Sequence, residues 1–160
     1  MHRFSASTES QAVVAADRRA VWGALTDPVV LPKLTPLLTR IETNGELWRW
    51  EMSRINLLGI VVNPTFTERM TFREGERIDY THEPPMGSKE WAGAEGWYEL
   101  RDTRGGTRLS ISLTLSVDLP LARFSAPAVS TAMRTAMAVT GSRFAGNLEQ
   151  HLEVTKRDPT

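Results

Sequence analysis

The sequence predicts an α+β domain in which a curved antiparallel sheet of seven strands wraps around one long C-terminal helix, with two short helices between strands 1 and 2. Three observations carry this reading. Period-two segments succeed one another through short turns from Thr39 to Val117. A stripe of apolar residues recurs at threes and fours from Val129 to Leu152. Proline and glycine punctuate the chain at the expected boundaries and nowhere inside that stripe except Gly141 and Gly146.

The elements follow in order. Phe4, Ala6, Thr8, Ser10, Ala12 and Val14 alternate with mostly polar neighbours and predict the first strand. Asp17 supplies a helix N-cap, with Val21, Trp22 and Leu25 at helical spacing behind it. Asp27-Pro28 divides the stretch Ala16 to Leu38 into two short helices, the second made irregular by Pro32 and Pro36. Strands are then expected over Thr39–Thr43, Glu46–Ile55, Ile60–Arg73, Glu76–His82, Glu90–Asp102 and a last run around Leu109–Val117. Asn44-Gly45 marks the first hairpin, and Glu74-Gly75 and Arg104-Gly105-Gly106 mark later ones. Ser125 and Pro127 open the terminal helix, which runs roughly 27 residues, or about 40 Å, to near Glu153. Residues Lys156 to Thr160 read as a frayed end.

At 160 residues with no linker, repeat or low-complexity segment, residues 1–160 read as a single domain. Nineteen basic residues balance nineteen acidic ones, without the basic excess that nucleic-acid binding uses. The absence of cysteine removes disulfides, thiolate metal sites and thiol nucleophiles, and agrees with a cytoplasmic location. No signal peptide and no run long enough to span a bilayer is visible, so stable membrane insertion is not expected. Three scattered histidines, His2, His82 and His151, make no convincing metal site, and no motif calls for a cofactor.

Strand parity places several groups on the inner face. Trp48 and Trp50 share a face with Met52, as an aromatic wall for a ring-shaped ligand or as plain core. Glu68 lies between Phe66 and Met70; a carboxyl there must be paired, reach water, or hold its proton, and in the last case it suits general acid or base work. Tyr80 and His82 follow Ile78 on the next strand, as ligand hydrogen-bonding groups or as a rim tyrosine and a solvated histidine. Met133, Met137 and Phe144 face the sheet from the helix. Either Trp91 and Trp97 or Tyr98 and Leu100 point inward, so Glu95 has no assigned side. The apolar stretch Asn56 to Val62 reads as a portal flap, a dimer contact or a membrane-touching edge, and Met86 as a flexible portal side chain.

A helix laid in the concavity of a curling sheet cannot touch all of it, and the remaining space is a pocket. The run Val14-Ala15-Ala16-Asp17-Arg18-Arg19-Ala20-Val21-Trp22, then Leu25-Thr26-Asp27-Pro28, and Gly105-Gly106-Thr107-Arg108-Leu109 before the last strand, resemble the START and birch-pollen-allergen-like superfamily, also called SRPBCC or polyketide cyclase/lipid transport proteins. Leu34 departs from that pattern, where relatives often carry tryptophan. The resemblance implies a helix-grip fold and a cavity for a small hydrophobic ligand such as a lipid, polyketide or isoprenoid, and no particular reaction. A carrier or binding protein is the first reading. A polyketide aromatase/cyclase- or dehydratase-like enzyme is the alternative, with Glu68, His82, Tyr80 and Arg49 as suspects. A protein-interaction module using residues 57–62 is the third, and a homodimer is a further possibility.

Overall fold

In the computed structural model, which describes residues 1–157, alternation of apolar and polar residues builds nine strands, seven of them in one antiparallel sheet. The strands are β1 (His2–Val14), β2 (Leu38–Asn44), β3 (Leu47–Met52), β4 (Ile55–Leu57), β5 (Ile60–Val62), β6 (Thr65–Arg73), β7 (Arg77–His82), β8 (Ala92–Thr103) and β9 (Gly106–Leu119). The helices are α1 (Arg18–Leu25), α2 (Val30–Leu34) and α3 (Ala126–Arg157), with a 3-10 turn at Arg123–Ser125. The large sheet runs β1-β9-β8-β7-β6-β3-β2, and β4 pairs only with β5. The predicted fold class therefore holds: a helix-grip arrangement with two short helices between strands 1 and 2.

Two predicted strands are broken where the sequence reading left them whole. Glu46–Ile55 splits after Met52, and Ile60–Arg73 splits at Asn63-Pro64. Pro64 has no N–H to give a ladder, and its carbonyl instead accepts from the Met52 N–H at 2.9 Å. The freed residues form the small β4–β5 hairpin, whose Leu57 is buried among Leu119, Val129 and Met133.

Both short helices start as their sequences dictate. The Asp17 carboxylate accepts from the Ala20 N–H at 2.8 Å, and Asp27 accepts from the Val29 and Val30 N–H groups at 2.8 and 3.2 Å. α3 exceeds the expected length at 32 residues, about 48 Å. Of the end expected to fray, Lys156 to Thr160, Lys156 and Arg157 are helical and Asp158 to Thr160 lie outside the described residues.

α3 closes the concavity at two places. Phe144, Leu148 and Leu152 join a cluster with Val21, Leu31 and Trp50, which locks α1 and α2 to the sheet. Val129, Met133 and Met137 join a second with Phe4, Leu57 and Leu119. Between the two clusters the inner face is incompletely covered: Thr8, Ser10 and Ala12 on β1 and Ile111, Leu113 and Leu115 on β9 keep partial or full exposure. No helix among the described residues is long and apolar enough to cross a membrane.

Candidate functional site

The inner face carries its polar groups on β6, β7 and β8. Pairing sets Trp48 opposite Glu68, Trp50 opposite Phe66, and Met70 opposite Tyr80. Tyr98 lies between Ile78 and Ile111 and stacks obliquely on Tyr80, ring centroids 5.4 Å apart. Parity on β8 is thereby decided: Tyr98 and Leu100 point inward, Glu95 and Trp91 are exposed, and Trp97 lies on the outer face under the Arg77 guanidinium at 4.6 Å. Glu68 is 2% exposed and makes no hydrogen bond or ion pair among the described residues. Burial pushes its carboxyl well above the usual carboxylate range, since the charged form loses water that nothing replaces. Burial, then their mutual proximity and that of Glu68, raises Tyr80, and burial followed by Glu68 raises Tyr98. In all three groups burial favours the protonated form. The Trp50 Nε1–H is also buried and finds no acceptor among the described residues, an uncommon state for an indole donor.

Tyr80 donates to the Ser112 carbonyl of β9 at 3.0 Å. This reach across β8 requires Gly96, because any Cβ there would overlap both the Ser112 carbonyl and the Tyr80 hydroxyl. His82 has a different setting. Its Nε2 is 2.9 Å from Glu90 Oε1, and Glu90 also accepts from the Thr67 N–H at 2.7 Å and the Thr67 hydroxyl at 2.8 Å. The imidazole ring lies on Gly93, whose missing side chain makes room for it. Although Glu68 and His82 are register partners, the histidine is engaged with the β7–β8 connection. Arg49 is on the outer face, paired with Glu51 and Glu42, so the pocket role considered for it does not fit its position.

Of the ten predicted site residues, Trp48, Trp50, Phe66, Met70, Tyr80 and Phe144 share one apolar cluster, with Glu68 on the same face, Met133 and Met137 belong to the second, and His82 stands apart on Glu90. A groove of about 510 Å³ opens along α3, lined by Pro36, Leu37, Ala132, Thr135, Ala136, Val139, Thr140 and Arg143. Leu37 holds a left-handed backbone, φ 71°, a strained conformation for a leucine, and its carbonyl accepts from the Ser53 N–H at 2.7 Å. That bond ties the rim of the groove to the β3–β4 junction. A second concavity, about 350 Å³, lies at the far turns among Arg18, Arg73, Glu76, Glu99, Arg101 and Asp102. Its three cations and three carboxylates are neutralised by one another through the Arg18–Asp102, Arg73–Glu76 and Arg101–Glu99 pairs, which leaves no charge to recruit a ligand.

Residues 2–153 match the family described as polyketide cyclase / dehydrase and lipid transport. The chain belongs to this family. Comparison with curated proteins gives no match. Among solved structures the fold is similar to that of the di-domain ARO/CYC StfQ from the steffimycin biosynthetic pathway, at 15% identity and a TM-score of 0.66, over 97% of this chain and 53% of that one. The chain thus spans about half of StfQ. It is also similar to the Zhui aromatase/cyclase from Streptomyces sp. R1128 (13% identity, TM-score 0.65, 94% of this chain and 95% of that one). A third likeness is to Ara h 8.0201 (16% identity, TM-score 0.59, 94% and 99%). At these identities the likeness is one of fold.

In this polyketide cyclase/lipid transport family member, none of the ten residues singled out from sequence lines the groove along α3. The signal for it was present. Ala132 and Ala136, small residues four apart, leave a shallow flank beside the buried stripe, and Pro32 and Pro36 keep α2 too short to cover it. Both alanines fall within the apolar stretch from Val129 to Leu152, where nothing in the spacing separates a groove wall from packed core.

Proposed function

We infer that this protein binds a small hydrophobic molecule, of lipid, polyketide or isoprenoid type, between the sheet and α3. The observation that carries the reading is Glu68: a carboxyl 2% exposed, with no hydrogen bond or ion pair among the described residues, on a face otherwise built of Trp48, Trp50, Phe66, Met70 and Tyr80. A stable core has no use for such a group, which costs free energy when left unsatisfied. As the neutral acid it serves as a hydrogen-bonding end for a ligand oxygen in an apolar site. The orphan Trp50 Nε1–H supplies a further donor on the same face. In this reading the groove at Pro36, Leu37 and Ala136 serves as the mouth and the incompletely covered Ile111, Leu113 and Leu115 serve as the floor. His82, Met133, Met137 and Phe144 complete the wall, with His82 fixing the β7–β8 rim through Glu90.

A second reading is favoured by the same carboxyl. A carboxyl that burial holds well above the usual carboxylate range is suited to protonating a carbonyl or taking part in dehydration, and two of the fold neighbours are described as aromatase/cyclases. The reading is then an aromatase/cyclase- or dehydratase-like enzyme in which Glu68 is the proton donor.

Titration with a hydrophobic fluorescent probe, together with native mass spectrometry of freshly purified protein, tests the binding reading. One saturable equivalent is expected, weakened in Glu68→Gln more for oxygen-bearing ligands than for hydrocarbons. No saturable binding across fatty acids, sterols and aromatic polyketide mimics overturns both readings.

A further inference from the structure

The register of the sheet puts four connections and the start of β1 at one end of the molecule. Glu51 pairs with Thr65, Glu68 with His82, Ala92 with Val117, and His2 with Leu119. The β4–β5 hairpin, the β7–β8 loop, the 3-10 turn before α3, the start of β1 and the α2–β2 connection therefore share this end, while the Gly45, Gly75 and Gly105 turns occupy the other. Five apolar side chains of this end are turned outward. Leu58 is 51% exposed, Val61 61%, Trp91 51% and Phe124 88%, and the Met86 side chain is fully exposed. They come from three separate segments. A folded chain normally keeps such residues scattered rather than gathered at the tips of one end.

Charge at this end has one sign left over. The carboxylates are engaged: Glu83 by Arg69 at 2.7 Å, Asp118 by Arg3 at 2.9 Å, and Glu90 within the His82–Thr67 network. Arg54, before β4, and Arg123, beside Phe124, are exposed and make no ion pair among the described residues. The Lys89 ammonium lies over the Trp91 ring at 5.0 Å, keeping a cation and an aromatic edge together at the surface.

We propose that this end docks on an anionic lipid surface, with Leu58, Val61, Met86, Trp91 and Phe124 entering the interfacial layer and Arg54, Lys89 and Arg123 contacting headgroup phosphates. Separate convex tips with cations between them match a deformable, negatively charged layer, in which apolar side chains sink past the headgroups and ammonium or guanidinium groups stay at their level. A rigid protein partner would need a hollow for each tip. The mouth of the groove lies at the same end, because the Ser53 N–H to Leu37 carbonyl bond joins its rim to the β3–β4 junction. Docking would bring the groove against the layer from which an apolar ligand leaves.

The test is co-sedimentation of the purified protein with vesicles of phosphatidylcholine alone or mixed with phosphatidylglycerol. No pocket ligand is added, so the outcome is independent of the binding reading above. Partition onto the anionic vesicles only, reduced at high salt, is expected. Phe124→Ser and Leu58→Asn (asparagine tolerates the left-handed backbone at that position) should each lower it about tenfold. Arg54→Glu with Arg123→Glu should abolish it, and Val13→Ser, an exposed apolar residue at the far end, should leave it unchanged. Trp91 alone of the five tryptophans is exposed, so brominated lipid should quench emission in the wild type and not in Trp91→Phe. Melting curves verify that each variant is folded. Absence of partition onto anionic vesicles, or equal loss with Val13→Ser, overturns the proposal; a folded wild type that ignores vesicles but is pulled down by a protein partner does so in favour of a protein interface.

Discussion

Glu68 sits where a carboxyl is worst solvated, and its protonation links the site to stability. Its folded-state pKa is raised, so the native state holds a proton that the unfolded chain releases. Below the unfolded value, about 4.3, both states are neutral and nothing is lost. As pH rises above it the unfolded state alone ionises, and stability falls until the raised folded value is reached. Glu68→Gln keeps the shape and removes this loss. The expected result is a melting temperature equal to wild type at pH 4 and higher at pH 7, with an NMR carboxyl titration giving a raised midpoint in the wild type. An unshifted carboxyl in that titration would place Glu68 in water and remove it from the site. Gly93 offers a second test at this scale. A methyl added there enters the space of the His82 ring, so Gly93→Ala should cost about 1 to 3 kcal/mol by overpacking. A urea titration reads it directly, and an unchanged midpoint would show that the ring moves aside freely. Strand parity made Glu68 legible in sequence because β6 stays regular from Thr65 to Arg73. His82 was legible only in position; its partner Glu90 lies across a loop, and no local pattern encodes that bond.

At the scale of elements, α3 decides how open the site is. Phe144 is buried with Leu148 against α1, α2 and the sheet. Phe144→Ala should therefore cost about 3 to 5 kcal/mol, from lost transfer energy plus the cavity left behind. A change under about half a kcal/mol in a denaturant titration would show that the C-terminal half of α3 does not dock. The helix stripe was readable because residues three and four apart must share a face. The β4–β5 hairpin was not separable from its neighbours. Its residues are as apolar as those of a core strand, and only the Met52–Pro64 bond and the burial of Leu57 beneath α3 set it apart.

For the whole molecule, a ligand that binds the folded state alone stabilises it by mass action, about 2.7 kcal/mol at a concentration one hundred times its dissociation constant. A bound hydrophobic probe should therefore raise the melting temperature in step with its occupancy, and saturation of the shift near one equivalent is the expected outcome in a scanning fluorimetry titration. Saturable binding without any such shift would mean that the probe does not select the folded state.

The sequence by itself determined the two short helices, the long terminal helix, the seven-stranded sheet and the faces of β3, β6 and β7, because periods of two and 3.6 residues and the residues that cap and break elements are local properties; the family came from a resemblance of motifs and not from these periods. Tertiary structure decided which way β8 faces, how the histidine is engaged, where the groove opens and which loop tips share one end. These depend on how a twisted sheet and a long helix meet, with Tyr98 turned inward only because β8 is pinned between β7 and β9, and contacts between residues distant in sequence leave no periodic trace along the chain.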